Sequence, residues 1–292
     1  MRSTPVEPVL DVRLELGEGP VWDAGRKSLL FVDIMQGDVH ELDPATGAHR
    51  VVHVDLPVGA VAGTTKGDWI LAAGQGFYRL DPDTGRLTEV AIAEPGRSDV
   101  RMNDGYVDPC GRFWAGTLSL KREPERGALF CLSPDGGVET VLAPVTTSNG
   151  IDWSPDGRLM YYADTGTRRV DRFDVDAGTG RISNRRPFVD FSGEAGRPDG
   201  LIVDAEGGVW VALWRGGAVR RYRADGALDR EIPLPTALVT KCAFGGPELT
   251  DLYVTTAWRD LSADERRAQP HAGALFRARP GERGQAPRRF AG

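Results

Sequence analysis

A turn motif rich in Asp, Pro and Gly recurs along this chain and divides it into short segments. Examples are DPATG from Asp43, DPDTG from Asp81, SPDGR from Ser154 and DAEGG from Asp204. In such hairpin turns Gly supplies positive φ, and Asp or Ser caps its own backbone. The segments between turns are short apolar or alternating runs, such as residues 69–72 and 209–213, without long helical periodicity. The chain is therefore predicted to be all-β.

The turns have a fixed period. The glycines that mark the first turn of each unit are Gly25, Gly67, Gly111, Gly157, Gly207 and Gly246. Their spacing is about 44 residues, as expected for four-stranded propeller blades, whereas an irregular β-sandwich would require no fixed period. The run 9–14 has no blade of its own and is predicted to close the last blade. We thus predict one six-bladed β-propeller domain over residues 1–292, with four-stranded blades and a closing N-terminal strand.

Composition and charge exclude several classes of protein. The 36 basic and 42 acidic residues give a net charge of -6, which provides no electrostatic footprint for nucleic acid or anionic lipid. Residues 1–8 lack the apolar core of a signal peptide, and no apolar run approaches membrane-spanning length. The three widely spaced cysteines are interpreted as reduced thiols. We expect a cytoplasmic protein with neither a nucleic acid nor a membrane as partner.

Polar residues recur at one phase of the repeat, seven or eight positions before the marker glycine. The residues at this position are Glu18, Gly59, Asn103, Asn149 and Asp199. The first strands of propeller blades line a central channel, so equivalent positions converge on its axis. Four of these five residues carry oxygen donors. We expect them to meet at one end of the channel.

Two carboxylates that face each other in a partly dry channel repel unless a proton or a cation lies between them. A divalent cation is the simplest solution. Carboxylate and amide oxygens without His or Cys favour Ca²⁺, then Mg²⁺ or Mn²⁺, with Zn²⁺ less expected. The alternative is that Asn-Gly and Asp-Gly are ordinary turn dipeptides and Glu18 a solvated residue. That alternative does not explain why all four donors share one phase.

Longer stretches carry a family resemblance. They are LGEGPVWD, RMNDGYVDPCGRFWAGT, SNGIDWSPDGRLMYYADT, ISNRR, PDGLIVDAEGGVWVA and CAFGG, between residues 16 and 246. Here the chain resembles the SMP-30/gluconolactonase/luciferin-regenerating family. The resemblance implies a six-bladed propeller with one catalytic divalent cation held by Glu18, Asn149 and Asp199. It also implies that Asn103 lies near cation and substrate, that Arg101 contacts a substrate oxygen, and that Asp199 acts as general base or positions the water bound to the cation.

One loop departs from the family pattern. In one branch of the family the segment after residues 113–117 is longer and acidic, whereas here it reads LSLKREPERG. Lys121 stands about where an acidic substrate contact would be, so it is either a substrate-binding residue or a solvated loop lysine. Arg122 and Arg126 beside it are interpreted as surface charges.

The expected function rests on the family resemblance, and the motifs of other enzyme classes are missing. The sequence has no GxSxG, HExxH, Walker A or GxGxxG stretch. The resemblance to the family implies a metal-dependent hydrolase that opens small sugar lactones, and this is the function we predict. The cation would polarise the lactone carbonyl, and Asp199 or the cation would activate the attacking water. The alternatives are a phosphotriesterase-like hydrolase on the same cation and a non-catalytic calcium-binding propeller that serves as a scaffold.

Overall fold

The computed structural model describes residues 4–10 and 12–292, and nearly all of its regular structure is β-strand. Over these residues, 24 strands form six antiparallel four-stranded sheets. The first strand of each sheet packs against the first strand of the next, and the sixth packs against the first, which closes a ring. The predicted six-bladed β-propeller is confirmed. The extent of the domain, residues 1–292, stays a prediction.

The strands are numbered along the chain from β1 (Val6–Leu10). Blade 1 contains β2 (Gly17–Asp23), β3 (Ser28–Asp33), β4 (Asp38–Leu42) and β5 (His49–His53). Blade 2 contains β6 (Val58–Gly63), β7 (Trp69–Ala73), β8 (Gly76–Leu80) and β9 (Leu87–Ile92). Blade 3 contains β10 (Val100–Val107), β11 (Phe113–Ser119), β12 (Gly127–Leu132) and β13 (Val138–Val145).

The second half of the ring repeats this order. Blade 4 contains β14 (Ser148–Trp153), β15 (Leu159–Asp164), β16 (Arg169–Val175) and β17 (Ile182–Asp190). Blade 5 contains β18 (Arg197–Val203), β19 (Val209–Trp214), β20 (Ala218–Tyr222) and β21 (Leu228–Pro233). Blade 6 contains β22 (Val239–Gly245), β23 (Asp251–Thr256) and β24 (Leu275–Ala278). Between strands lie a 3₁₀ turn at Thr165–Thr167 and a helix, α1 (Ala263–Ala268). Among the described residues no helix combines the length and apolarity needed to cross a bilayer.

The N-terminal strand completes blade 6. β1 pairs antiparallel with β24, so the sheet order is β22, β23, β24, β1. This confirms that an N-terminal strand closes the last blade, although the strand is Val6–Leu10 rather than residues 9–14. Residue 11 of the predicted run lies outside the described residues. Pairing both ends of the chain in one sheet covers a strand edge that would otherwise stay open.

The first strand of every blade, which lines the channel, has a register shift in its N-terminal half. The shifts lie between Glu18 and Val21, Val58 and Ala60, Met102 and Gly105, Ser148 and Ile151, Pro198 and Leu201, and Val239 and Lys241. A β-bulge leaves a residue outside the ladder and changes the direction of its side chain. The shared phase of the polar residues therefore coincides with bulges around the channel axis.

The C-terminal segment lies across the opposite end of the channel, where the inner strands end. The Gln285 amide donates to the carbonyl oxygens of Trp153 at 2.8 Å and Val203 at 3.0 Å. Arg288 pairs with the buried Asp152 carboxylate at 2.8 Å. These contacts cover the far end, and we call the opposite end, which carries the bulges, the mouth of the channel.

Candidate metal centre

The three predicted ligands lie on inner strands at the mouth of the channel. Glu18 is on β2, Asn149 on β14 and Asp199 on β18, in blades 1, 4 and 5, and each is at most 5% exposed. The Glu18 carboxylate accepts a hydrogen bond from the Gly19 N–H at 2.9 Å. A single hydrogen bond from a neutral donor does not offset the desolvation free energy of a buried carboxylate.

Both carboxyl groups of the predicted ligand set have raised pKa values. Burial and then repulsion from Asp104 raise the pKa of Glu18 from 4.5 to about 8. Burial, followed by repulsion from Glu18 and Asp104, raises the pKa of Asp199 well above its usual 3.8. Acidic groups that are this unfavourable as anions take up a proton or a cation. The electrostatics therefore favour positive charge at this point.

The Asn149 side chain is oriented with its oxygen free. Its amide nitrogen donates to the Thr165 hydroxyl at 2.9 Å, and that hydroxyl donates to the Pro198 carbonyl oxygen at 2.7 Å. Within the described residues Asn149 Oδ1 is buried without a hydrogen-bond partner. Native proteins rarely leave such an acceptor unpaired unless a water or an ion satisfies it.

These donors fit a hard cation. Two carboxylates and one unpaired amide oxygen are the ligand types that Ca²⁺ and Mg²⁺ prefer. No three His, Cys, Asp or Glu side chains in residues 4–10 and 12–292 converge as a metal-ligating group. The set therefore needs the Asn149 oxygen, and water can complete the coordination of such an ion.

Arg101 and Asn103 form a fixed pair on β10, in blade 3. The Arg101 guanidinium donates to Asn103 Oδ1 at 2.7 Å and to the Met102 carbonyl at 2.8 Å. The Asn103 amide donates to the Ser148 carbonyl at 2.8 Å, beside Asn149. Burial lowers the pKa of Arg101 to about 10, and the nearby carboxylates of Glu18 and Asp199 oppose this shift. Two of the three predicted substrate-binding residues, Arg101 and Asn103, therefore lie next to the three predicted ligands.

The loop with Lys121 lies at the same mouth. Residues 120–126 connect β11 to β12, and Lys121 is exposed there, with its backbone N–H donating to Ser119 Oγ at 3.2 Å. Arg122 is exposed, as predicted for a surface charge, and it pairs with Asp260 in the loop between β23 and β24. Blade 6 faces blade 3 across the ring, so this ion pair crosses the mouth.

Two charged residues in the channel lie outside the predicted site. Asp104 and Lys241 are each 1% exposed and form an ion pair. Asp104 lies in the Asn103-Asp-Gly sequence, and Lys241 follows the bulge of the sixth inner strand. The repeat phase did not identify the lysine, because seven or eight positions before the Gly246-Pro247 turn lie residues 238–240, directly before Lys241.

Glycines allow the ligand-bearing strands to approach closely. A Cβ at Gly150 would lie 2.3 Å from the Leu201 nitrogen and 2.8 Å from the Asp199 carbonyl oxygen. We expect Gly150→Ala to lower the free energy of unfolding by about 1–3 kcal/mol, because the backbone must shift to admit the methyl group. Urea unfolding measures this loss. Gly193→Ala is the control, since its Cβ meets nothing within 4 Å, and equal losses in both variants would contradict the close-packing argument.

Comparison with known proteins places the chain among related sequences. The model of the SMP-30/Gluconolactonase/LRE-like region matches residues 16–258. The chain is 38% identical to regucalcin of Xenopus laevis, with 100% of each chain covered. It is also 38% identical to a proposed sugar lactone lactonase of Bacillus subtilis, with 97% of each chain covered. Among solved structures, a regucalcin of Agrobacterium tumefaciens described as a calcium-binding protein superposes with a TM-score of 0.95 at 31% identity, covering 99% of this chain and 98% of the other.

Proposed function

The chain belongs to the SMP-30/gluconolactonase/LRE-like family, and from this membership we propose that it is a hydrolase that opens small sugar lactones with one bound divalent cation. Ca²⁺ is our first choice for the ion, ahead of Mg²⁺, Mn²⁺ and Zn²⁺, because the donors are oxygens only. The relatives support this proposal through the lactonase name of one and the calcium-binding description of another.

The observation that carries the proposal is the free oxygen of Asn149 beside two buried carboxylates. Asn149 Oδ1 has no partner within the described residues, and burial together with neighbouring carboxylates raises the pKa values of Glu18 and Asp199. We infer that Glu18, Asn149 and Asp199 hold the cation. When bound, this cation would polarise the carbonyl of the substrate and stabilise negative charge on its oxygen.

Asp199, Arg101 and Asn103 would take part in proton transfer or substrate binding. Asp199 would accept the proton of the water that attacks the lactone carbonyl. Arg101 would donate to a substrate oxygen from a guanidinium that Asn103 and the Met102 carbonyl hold in place. Asn103, held by the Ser148 carbonyl, would border the substrate. A pre-oriented set of donors suits a sugar ring rich in hydroxyl groups, because little ordering remains to be done on binding.

A substrate screen tests the proposal. Metal-free protein is supplemented in turn with Ca²⁺, Mg²⁺, Mn²⁺ or Zn²⁺ and assayed by pH indicator on several aldonolactones and one phosphotriester. We expect cation-dependent opening of at least one lactone, with lactones preferred by kcat/KM. Preference for the phosphotriester would favour the phosphotriesterase alternative. Cation binding without turnover of any substrate would favour the calcium-binding scaffold.

Lys121 is expected to influence which lactone is used. It lies on the mouth loop outside the proposed ligand set, so Lys121→Ala should change the ratios of kcat/KM among lactones without changing the cation content. Parallel steady-state kinetics on several lactones and elemental analysis measure the two effects. Lys66→Ala is the control, since Lys66 is an exposed lysine in the β6–β7 turn at the far end of the channel. Equal changes for every lactone, or none, would argue against a specificity role.

A further inference from the structure

The sixth inner strand contributes a lysine to the channel, whereas four of the other five contribute oxygen donors. Lys241 is 1% exposed and its ammonium group pairs with Asp104, which is equally buried. The ammonium also lies 3.4 Å from the Gly105 carbonyl oxygen and 5.8 Å from the centre of the Tyr106 ring. A lysine is rarely buried this completely unless its charge is paired.

Lys241 lies between the two strands that carry the ligand carboxylates. On one side its aliphatic stem covers Gly200, the residue after Asp199, so closely that a Cβ there would lie 2.4 Å from Lys241 Cγ. On the other side the hydroxyl of its neighbour Thr240 donates to the Gly17 carbonyl oxygen at 2.6 Å, next to Glu18. The ammonium charge is therefore held within the same buried region as the proposed cation site.

Asp104 is the third carboxylate of this region, and one of its two oxygens has no hydrogen-bond partner among the described residues. Asp104 Oδ1 accepts from the Gly105 N–H at 2.7 Å and from Lys241. Its other oxygen, Oδ2, is buried without a hydrogen-bond partner in the described residues. Asp104 also adds to the repulsion on both Glu18 and Asp199. Without a counter-charge, three buried carboxylates would act on a bound cation.

We propose that Lys241 sets the charge of the cation site by neutralising Asp104, so that a divalent cation meets the net charge of two carboxylates rather than three. This inference rests on the proposed function, because it presupposes the cation. Lys241 is then a positioning residue that weakens cation binding, and the weakening is larger for an ion of higher charge, since Coulomb repulsion scales with the charge of the ion.

A double-mutant cycle on the full-length protein tests the proposal. Ca²⁺ affinity is measured by isothermal titration calorimetry at mildly alkaline pH for wild type, Lys241→Met, Asp104→Asn and the double variant. We expect Lys241→Met to bind Ca²⁺ about tenfold more tightly or better and Asp104→Asn about tenfold more weakly, because each leaves one buried charge beside the cation. The double variant restores the neutral pair, so its affinity should return to within about threefold of wild type. A trivalent lanthanide should gain more affinity than Ca²⁺ from Lys241→Met.

A purely structural ion pair predicts a different pattern, in which both single variants weaken binding through misfolding. Weaker or unchanged Ca²⁺ binding by Lys241→Met, or a double variant as weak as Asp104→Asn, would overturn the inference while leaving the cation site intact. A wild-type protein that binds no divalent cation would overturn the proposed function as well. If Lys241→Met does not fold, it is replaced by Lys241→Gln, which keeps a hydrogen-bond donor. Tighter Ca²⁺ binding by Lys241→Gln and near wild-type affinity in the double variant then support the inference, and the opposite results overturn it.

Discussion

Asp199→Asn is expected to lower kcat for lactone opening by about 100-fold or more, the usual scale for the loss of a positioned general base. The amide keeps an oxygen for the cation but cannot accept a proton from water. It also removes one of the two carboxylate charges of the ligand set, so cation affinity should fall as well. Turnover is therefore measured at saturating cation, with occupancy determined directly on the same sample.

The matched control is Asp225→Asn, the same substitution at an exposed turn of blade 5, which should leave kcat unchanged. The acidic limb of the pH–rate profile gives a second readout, because it reports ionisation of the base and should disappear in Asp199→Asn. A fully loaded Asp199→Asn protein that opens lactone within a few-fold of wild type would show that Asp199 is at most a ligand. The base would then have to be sought elsewhere.

Glu18→Gln is expected to abolish tight cation binding, with affinity reduced about 100-fold or more, because it removes half of the carboxylate charge that faces the ion. Asn149→Ala should also lose the cation, through loss of the free amide oxygen. Calorimetry or elemental analysis measures the loss. Wild-type affinity in both variants would rule out the ligand assignment.

The wild-type protein should also melt at a lower temperature in EDTA, since an ion that binds only the folded state stabilises it by mass action.

The raised pKa of Glu18 predicts how this stabilisation depends on pH. In the cation-free protein the folded state holds a proton up to about pH 8, whereas the unfolded carboxyl releases it near 4.5. The folded state therefore binds more protons across this window, and the stability of the cation-free protein falls as pH rises through it. The cation competes with that proton, so the melting shift it produces should grow with pH. Thermal melts over this range should show the full trend in wild type and in the exposed control Glu248→Gln, and a weaker trend in Glu18→Gln, where Asp199 with its raised pKa remains.

Local chemistry determines the architecture of this chain. The Asp-Gly and Pro-Asp-Gly turns need only their own four or five residues to form, and their period identifies a propeller blade. The same period places Glu18, Asn103, Asn149 and Asp199 at one phase, which coincides with the bulges of the inner strands. The closing strand was predictable because one apolar run near the N-terminus had no blade of its own. Its bounds depended on pairing with β24, so the strand begins and ends several residues before the predicted run 9–14.

Contacts between distant blades were decided only by the tertiary structure. The pairing of Lys241 with Asp104 joins residues 137 positions apart, and that of Arg122 with Asp260 joins residues 138 apart. The Asn149 amide nitrogen donates to the Thr165 hydroxyl, which in turn donates to the Pro198 carbonyl in blade 5, and this leaves the Asn149 oxygen free. Turn propensity and repeat phase are properties of neighbouring residues, whereas the pairing of a buried charge depends on which side chains the closed ring brings to its axis. The sequence by itself therefore determined the six blades and the candidate ligands, and the ring closure decided which charges those ligands meet.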